Sequence, residues 1–180
     1  MPLETEVKIQ VDAEEFSGVR RRLRGLGAQA IQERTHEKNR LWDFPGGSLR
    51  ARGCALRLRT HGGESLLTFK GPVRKDREFK KRPETQTRVA DADATHLILE
   101  ELGLEPSFHY DKFREIFHLP VATGTVEVCL DETPVGLFVE IEGEQAAIRE
   151  AAGLFGWSAD RFIRKGYVEL YAEAEHAKRD

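Results

Sequence analysis

Cysteine is nearly absent from this chain: Cys54 and Cys129 are the only two in 180 residues. They show no metal-ligand spacing, and nothing about them suggests a disulfide framework. Long apolar runs are also missing, and none approaches the ~20 residues needed to span a bilayer. A basic excess is lacking too, with 28 Lys and Arg against 31 Asp and Glu and a formal charge of -3. A general nucleic-acid binder would carry such an excess, so neither a membrane nor a specific nucleic acid is expected as partner. Met1 leads straight into a strand-like segment, so no signal peptide is expected and a reduced, cytoplasmic setting is the default. No internal repeat and no low-complexity stretch is present.

What the chain does have is charge. Charged residues make up 33% of it, above the usual quarter, and the length suits one domain with a real core. The expectation is a single domain over residues 1–175 with a frayed tail at 176–180. The stretch LETEVKIQV at 3–11 reads as a strand. Asp12 and Glu15 cap a helix whose Phe16, Val19, Leu23 and Leu26 recur at helical spacing up to Gly27. Residues 30–44 read as one or two strands before a PGG turn. Residues 54–60 and 65–71 read as a hairpin, 74–82 as a loop, 83–89 as a strand and 91–103 as a helix capped by Asp91 or Asp93. Three further strands, a helix at 144–156 and a last helix capped by Ser158 complete the layout. The pattern is α+β, built on about eight short antiparallel strands.

The placement of charge along these strands is the informative feature. Alternate strand residues share a face, so Glu4, Glu6, Lys8 and Gln10 lie together, opposite Leu3, Thr5, Val7, Ile9 and Val11. By the same parity Arg57 aligns with Arg59, Glu84 with Gln86 and Arg88, and Lys112 with Arg114. Glu127, Cys129 and Asp131 align, as do Glu140 and Glu142, while Lys70 shares its face with Thr68 and Leu66. An open sheet with one wet face would account for any single strand. Across all of them the pairs recur at i, i+2, and acids and bases segregate by strand. That favours an eight-stranded closed barrel with a charged interior and helices packed outside, which has room for one small ligand. Buried charges must meet each other, water, metal or ligand. Paired acids suit a hard cation such as Mg²⁺ or Mn²⁺, and paired Arg and Lys suit phosphate oxygens. A polyphosphate carrying a divalent metal needs both.

The residues also resemble a known family. E-x-E-x-K at Glu4, Glu6 and Lys8 is similar to the signature of the CYTH superfamily, the triphosphate tunnel metalloenzymes. The likeness continues in order through R-x-R at Arg57 and Arg59, FKGP with Lys70, R-x-E at Arg82 and Glu84, and K-x-R at Lys112 and Arg114. It ends with Asp131 in VCLDE, E-x-E at Glu140 and Glu142, and Lys165 before Tyr167. The length, HEKNRLWDF at 36–44 and LGLEPSFHYDKFREIF at 102–117 look most like the class IV adenylate cyclase branch. Gln86 stands where the family often has a second acid, and Lys165-Gly166-Tyr167 replaces a common Lys-Ser-Tyr.

The resemblance implies an antiparallel tunnel acting on a triphosphate with Mg²⁺ or Mn²⁺. The reaction is either cyclisation of ATP to cyclic AMP and pyrophosphate, or hydrolysis of thiamine triphosphate, inorganic triphosphate or a nucleoside triphosphate. A non-catalytic polyphosphate binder is the reading from another class, and a homodimer is left open. Implied metal ligands are Glu4, Glu6, Asp131, Glu140 and Glu142. Implied substrate contacts are Lys8, Arg57, Arg59, Lys70, Glu84, Lys112, Arg114 and Lys165, and Lys8, Glu6 and Asp131 carry the catalytic roles. Glu127 shares the inward parity without motif support. Blander roles fit the rest: His36 as a surface or packing residue, Trp42 and Phe44 in core packing, Cys129 as a small filler, and RRRLR at 20–24 as the wet side of a helix.

Overall fold

The computed structural model describes residues 2–177. The expectations that touch Met1 and Lys178–Asp180 lie outside them. In chain order the elements are β1 (Leu3–Val11), α1 (Ala13–Gly25), β2 (Gln29–Asp43), α2 (Ser48–Ala51), β3 (Ala55–His61), β4 (Glu64–Lys70) and β5 (Lys80–Val89). There follow α3 (Ala92–Glu101), β6 (Glu105–Val121), β7 (Gly124–Thr133), β8 (Gly136–Glu142), α4 (Gln145–Leu154), a 3₁₀ turn (Ala159–Arg161) and α5 (Tyr167–Ala177). The strands hydrogen-bond in the order β1-β5-β4-β3-β2-β6-β7-β8 and close into an antiparallel barrel. Closure removes every sheet edge, which is why alternation can hold one parity of each strand inside.

Local chemistry explains the punctuation. The Asp12 carboxylate accepts from the Glu15 amide at 2.8 Å and starts α1. The Asp91 carboxylate does the same for Ala94 at 2.9 Å and starts α3. The β3–β4 hairpin turns on Gly62 and Gly63, whose φ values of 53° and 83° are open to glycine at little cost.

The described chain forms two compact units. One comprises the segment ending at Glu4, Thr35–Lys75 and Lys81–Lys112. Its core gathers Trp42, Leu49, Leu58, Leu99 and Leu104, so α2 and α3 cover the apolar parity of β2 and β3. The other comprises Thr5–Arg34, Asp76–Lys80 and the segment from Phe113 onward. There Val7, Ile9 and Val11 of β1 and Val139 and Ile141 of β8 bury with Val126, Val128 and Leu130 of β7. Phe16, Val19 and Leu23 of α1 and Ala147, Ile148 and Ala151 of α4 lie over them. Fully burying one such aliphatic side chain contributes roughly 1.5–3 kcal/mol, so this helix-covered layer holds the charged faces in place.

Four expectations change. Residues 29–43 form one strand of 15 residues, and β6 has 17, so the strands are not uniformly short. Strand β5 starts at Lys80, inside the expected loop, because Lys81 and Arg74 form a backbone bridge that extends the pairing. Ser158 heads only the 3₁₀ turn, and the next helix begins at Tyr167. Between them the Ile163 amide donates to the Lys8 carbonyl at 2.8 Å and the Lys8 amide donates back at 3.3 Å, which keeps the segment extended. Lastly, α5 runs through His176 and Ala177, where a frayed tail was expected.

Candidate functional site

In the unit that carries the β3–β4 hairpin, strand register builds a basic cluster. Lys70 stands opposite Glu84 across β4 and β5. Its ammonium lies 2.5 Å from Glu84 Oε2 and 3.1 Å from both oxygens of Glu4. Arg59 Nη1 is 3.4 Å from Glu37 Oε1, and Lys112 Nζ is 3.6 Å from Glu37 Oε2. Burial works against the charge on Arg57, but Tyr110, Glu84 and Glu37 outweigh it and raise its pKa further. Glu84 is held below the usual carboxylate range: burial opposes the shift, and hydrogen bonding to Glu4 together with Lys70 and Arg57 overcomes it. Arg57, Arg59, Lys70 and Lys112 gather here with the carboxylates Glu4, Glu37 and Glu84. Two of the ion-pair contacts, at 3.4 and 3.6 Å, are longer than direct charge-assisted hydrogen bonds. Phosphate oxygens would be good additional partners for such a set.

The other unit carries a tighter cluster. Arg114 stands opposite Asp131 across β6 and β7 and forks onto it, Nε at 2.6 Å from Oδ1 and Nη2 at 2.5 Å from Oδ2. The same Nη2 donates to Glu140. The Tyr167 hydroxyl donates to Asp131 Oδ2 at 2.5 Å. Lys8 is opposite Glu140 in register, and its Nζ lies 2.5 Å from Glu140 Oε1 and 4.6 Å from the centre of the Tyr167 ring. Burial disfavours the Lys8 charge, yet Glu140, Glu6 and Asp131 outweigh burial and lift its pKa above the ordinary lysine value. Lys8 is therefore held in its charged form at neutral pH. Lys80 Nζ holds Glu6 Oε1 at 2.7 Å.

One row of this unit is acidic. Glu6 is opposite Glu142 across β1 and β8, and Glu142 is opposite Glu127 across β8 and β7. Directly opposed like charges repel unless a counterion joins them, and hard carboxylate oxygens on adjacent strands are the donor type that Mg²⁺ or Mn²⁺ takes. Among the described residues no three acid, His or Cys side chains already converge to chelate an ion. Glu6 is engaged by Lys80, as Glu4, Asp131 and Glu140 are by Lys70, Arg114 and Lys8, and Glu127 lies 3.6 Å from His118. The three adjacent carboxylates of the Glu6–Glu142–Glu127 row fit a hard cation in donor type, and its binding there would displace Lys80 from Glu6.

The remaining expected residues fall as follows. Lys165 has a side chain 51% exposed and pairs with Glu173 at 2.6 Å, so it is drawn to α5 and away from the charged clusters. Arg82 spends its guanidinium on the Gly71, Lys70 and Gly53 carbonyls and shapes the turn. His36 pairs with Asp111 at 3.0 Å in a half-exposed position, and Trp42 is in the core. Phe44 is 39% exposed and does not join the core as expected, since the chain turns away at the Asp43-capped α2. Cys129 is buried; burial and neighbouring acids push its thiol well up despite Arg114, which makes it an inert filler.

The sequence profile of the CYTH domain matches residues 2–157. The chain belongs to the CYTH family. A Methanocaldococcus jannaschii protein provisionally named an adenylate cyclase is 27% identical over 93% of this CYTH chain and 98% of its own length. A Vibrio parahaemolyticus structure with the same provisional name superposes with a TM-score of 0.78 at 23% identity, over 94% of this chain and 98% of that one. A Hippeastrum structure described as a candidate adenylyl cyclase with a dominant triphosphatase activity has a TM-score of 0.68 at 14% identity, over 96% of both chains. These two structures bear on the fold alone.

Several residues of this CYTH site were not singled out from sequence. Glu37, fully buried, shares parity with Asn39 in a strand read only loosely. Lys80 lay in the expected loop, although Lys80, Arg82 and Glu84 alternate as one strand face would. Tyr110 precedes Lys112 by two residues, so the same face predicts it. The Tyr167–Asp131 bond joins residues 36 apart, and no local periodicity announces it.

Proposed function

We propose that this CYTH protein is a divalent-metal-dependent enzyme acting on a triphosphate, and that the reaction is class IV adenylate cyclase-like, converting ATP to cyclic AMP and pyrophosphate. The observation carrying this reading is the gathering of Arg57, Arg59, Lys70 and Lys112 on one charged parity, where Arg59 and Lys112 lie 3.4 and 3.6 Å from the buried Glu37. A set of buried and half-buried cations of this kind gains from an anion with several oxygens. Arg57, Arg59, Lys70 and Lys112 hold phosphate oxygens. Lys8 and Arg114, both buried cations, neutralise charge that builds on phosphorus-bound oxygens, which is the main demand of phosphoryl transfer. Asp131 fixes the Arg114 fork. Glu6 and Glu142, with Glu127 beside them, would hold the cation, which polarises a phosphate oxygen and stabilises the leaving group when bound. In the cyclase reaction the ribose 3′-hydroxyl oxygen bonds to the α-phosphorus and gives its proton to solvent, while the bond from the α-phosphorus to the departing pyrophosphate breaks.

Triphosphate hydrolysis is the second reading, favoured by the activity described for the Hippeastrum protein of the same fold. The test incubates the protein with ATP, thiamine triphosphate and inorganic triphosphate, with Mg²⁺ or Mn²⁺, and identifies the products. Cyclic AMP with pyrophosphate supports the cyclase. Orthophosphate with the matching diphosphate, and no cyclic AMP, replaces it with the hydrolase. Tight binding without turnover makes the protein a polyphosphate binder and removes the enzyme reading.

A further inference from the structure

Asn39 is 2% exposed, and neither its Oδ1 nor its Nδ2 has a hydrogen-bond partner among the described residues. A buried amide left so costs more than an apolar side chain of the same size would. Its position is set by register. Asn39 on β2 is opposite Arg59 on β3, and Arg59 is opposite Leu66 on β4. Trp42, of the other parity, is in the core, and Arg40 reaches His96 of α3 at 3.3 Å. Asn39 therefore lies on the charged parity, between Glu37 and Leu41 on its own strand, beside an arginine assigned to phosphate.

The chemistry of the unpartnered pair narrows what could meet it. An amide presents one donor and one acceptor side by side in a plane. A phosphate chain offers acceptors only, so it could satisfy Nδ2 and would leave Oδ1 without a donor. A ring bearing an amino group next to an imine nitrogen answers both atoms at once, as asparagine does on adenine. Leu41 and Leu66 provide apolar surface on the same parity, which a flat ring can cover.

We propose that Asn39 selects the organic group of the substrate by pairing with an amino–imine ring edge, the edge shared by adenine and by the aminopyrimidine of thiamine. The proposal rests on the triphosphate reading and adds a residue that separates organic from inorganic triphosphates. Unlike Arg59, Asn39 contributes to ring selection and not to phosphate affinity.

The experiment measures Kd for ATP, thiamine triphosphate, purine riboside triphosphate (ATP without the amino group) and inorganic triphosphate, by calorimetry with EDTA present so that turnover does not interfere. Wild type and Asn39→Leu are compared. In the variant, affinity for the preferred organic triphosphate falls about ten- to hundredfold, while affinity for inorganic triphosphate is unchanged. Wild type loses about tenfold on removal of the amino group, and the variant does not distinguish the two purines. Which of ATP and thiamine triphosphate the wild type prefers identifies the ring. Asn39→Leu also melts higher than wild type without ligand, because an unpartnered amide has left the interior; a purely structural asparagine predicts the reverse. Asn39→Asp, which keeps the shape and the acceptor beside Arg59 but replaces the donor to the imine nitrogen with a second acceptor, is the second variant; it also weakens the organic triphosphate, yet it still distinguishes the two purines. If wild type binds organic and inorganic triphosphates and Asn39→Leu weakens both equally or neither, the asparagine assignment falls and the triphosphate reading stands. If wild type binds none of the four, either with EDTA or with Ca²⁺ in its place, both fall.

Discussion

Replacing Arg114 with methionine tests whether the charged interior is held together by the pairs seen in the structure. The perturbation keeps the length and most of the volume of the side chain and removes three hydrogen bonds. Two go to Asp131, at 2.6 and 2.5 Å, and the third to Glu140. Asp131 is 0% exposed, so water cannot replace the guanidinium. It keeps the Tyr167 hydroxyl at 2.5 Å, and Glu140 keeps Lys8. Removing one partner of a buried pair destabilises by about 3–5 kcal/mol, much of it the penalty of the stranded charge. At about 2–4 °C per kcal/mol for a chain of this size, the melting temperature falls by roughly 6–20 °C. Urea unfolding at neutral pH, followed by both tryptophan fluorescence and circular dichroism to check that the transitions coincide, gives the difference directly. The double variant Arg114→Met/Asp131→Asn removes the stranded carboxylate and recovers part of the loss, so the two substitutions are strongly non-additive. A loss below about 1 kcal/mol, or simple additivity, would refute the reasoning, because Arg114 and Asp131 would then not depend on each other.

Glu142→Gln removes the middle acid of the Glu6–Glu142–Glu127 row, so metal-dependent turnover is lost while the melting temperature without metal holds or rises; wild-type turnover would withdraw the row as the cation site. Arg59→Ala weakens binding of inorganic triphosphate by one to two decades, as loss of a charge-assisted contact of roughly 1.5–3 kcal/mol requires, with the fold kept by circular dichroism; unchanged affinity removes Arg59 from the phosphate grip. Glu15 accepts from Arg161 at 2.7 and 3.0 Å and from Trp157 at 2.6 Å, and these contacts hold its carboxyl below the ordinary value of 4.5. Its folded pKa is depressed, so its contribution is present above about 4.5 and is lost as pH falls through the folded value. Thermal melts of Glu15→Gln between pH 6 and 2.5 should therefore show a shallower acid loss than wild type, and parallel curves would contradict the pairing.

Much of the fold was legible because alternation in a strand is a local property. Glu4, Glu6 and Lys8 must share a face whatever surrounds them, and the charged parity of β1, β3, β6 and β8 followed from spacing alone. The helix starts at Asp12 and Asp91 were equally local, since a carboxylate and an amide three residues on decide them. Lys80 was missed because the loop composition around it hid a pairing with no local signature. Lys165 was placed by motif order, and the structure instead gives its ammonium to Glu173.

The amino-acid sequence by itself determined which residues lie on the charged parity, because the two-residue period of a strand leaves no choice. It also determined that acids and bases fall on different strands, and the CYTH pattern itself. Only the tertiary structure decided which acid meets which base. Arg114 with Asp131, Lys8 with Glu140 and Lys80 with Glu6 are set by strand register and by segments far apart in sequence, 132 residues apart for Lys8 and Glu140. The same register leaves the Asn39 amide buried without a hydrogen-bond partner among the described residues, and a single strand read alone cannot show a neighbour's absence. Pairing energies depend on distance and desolvation, and both come into being only when the strands are side by side.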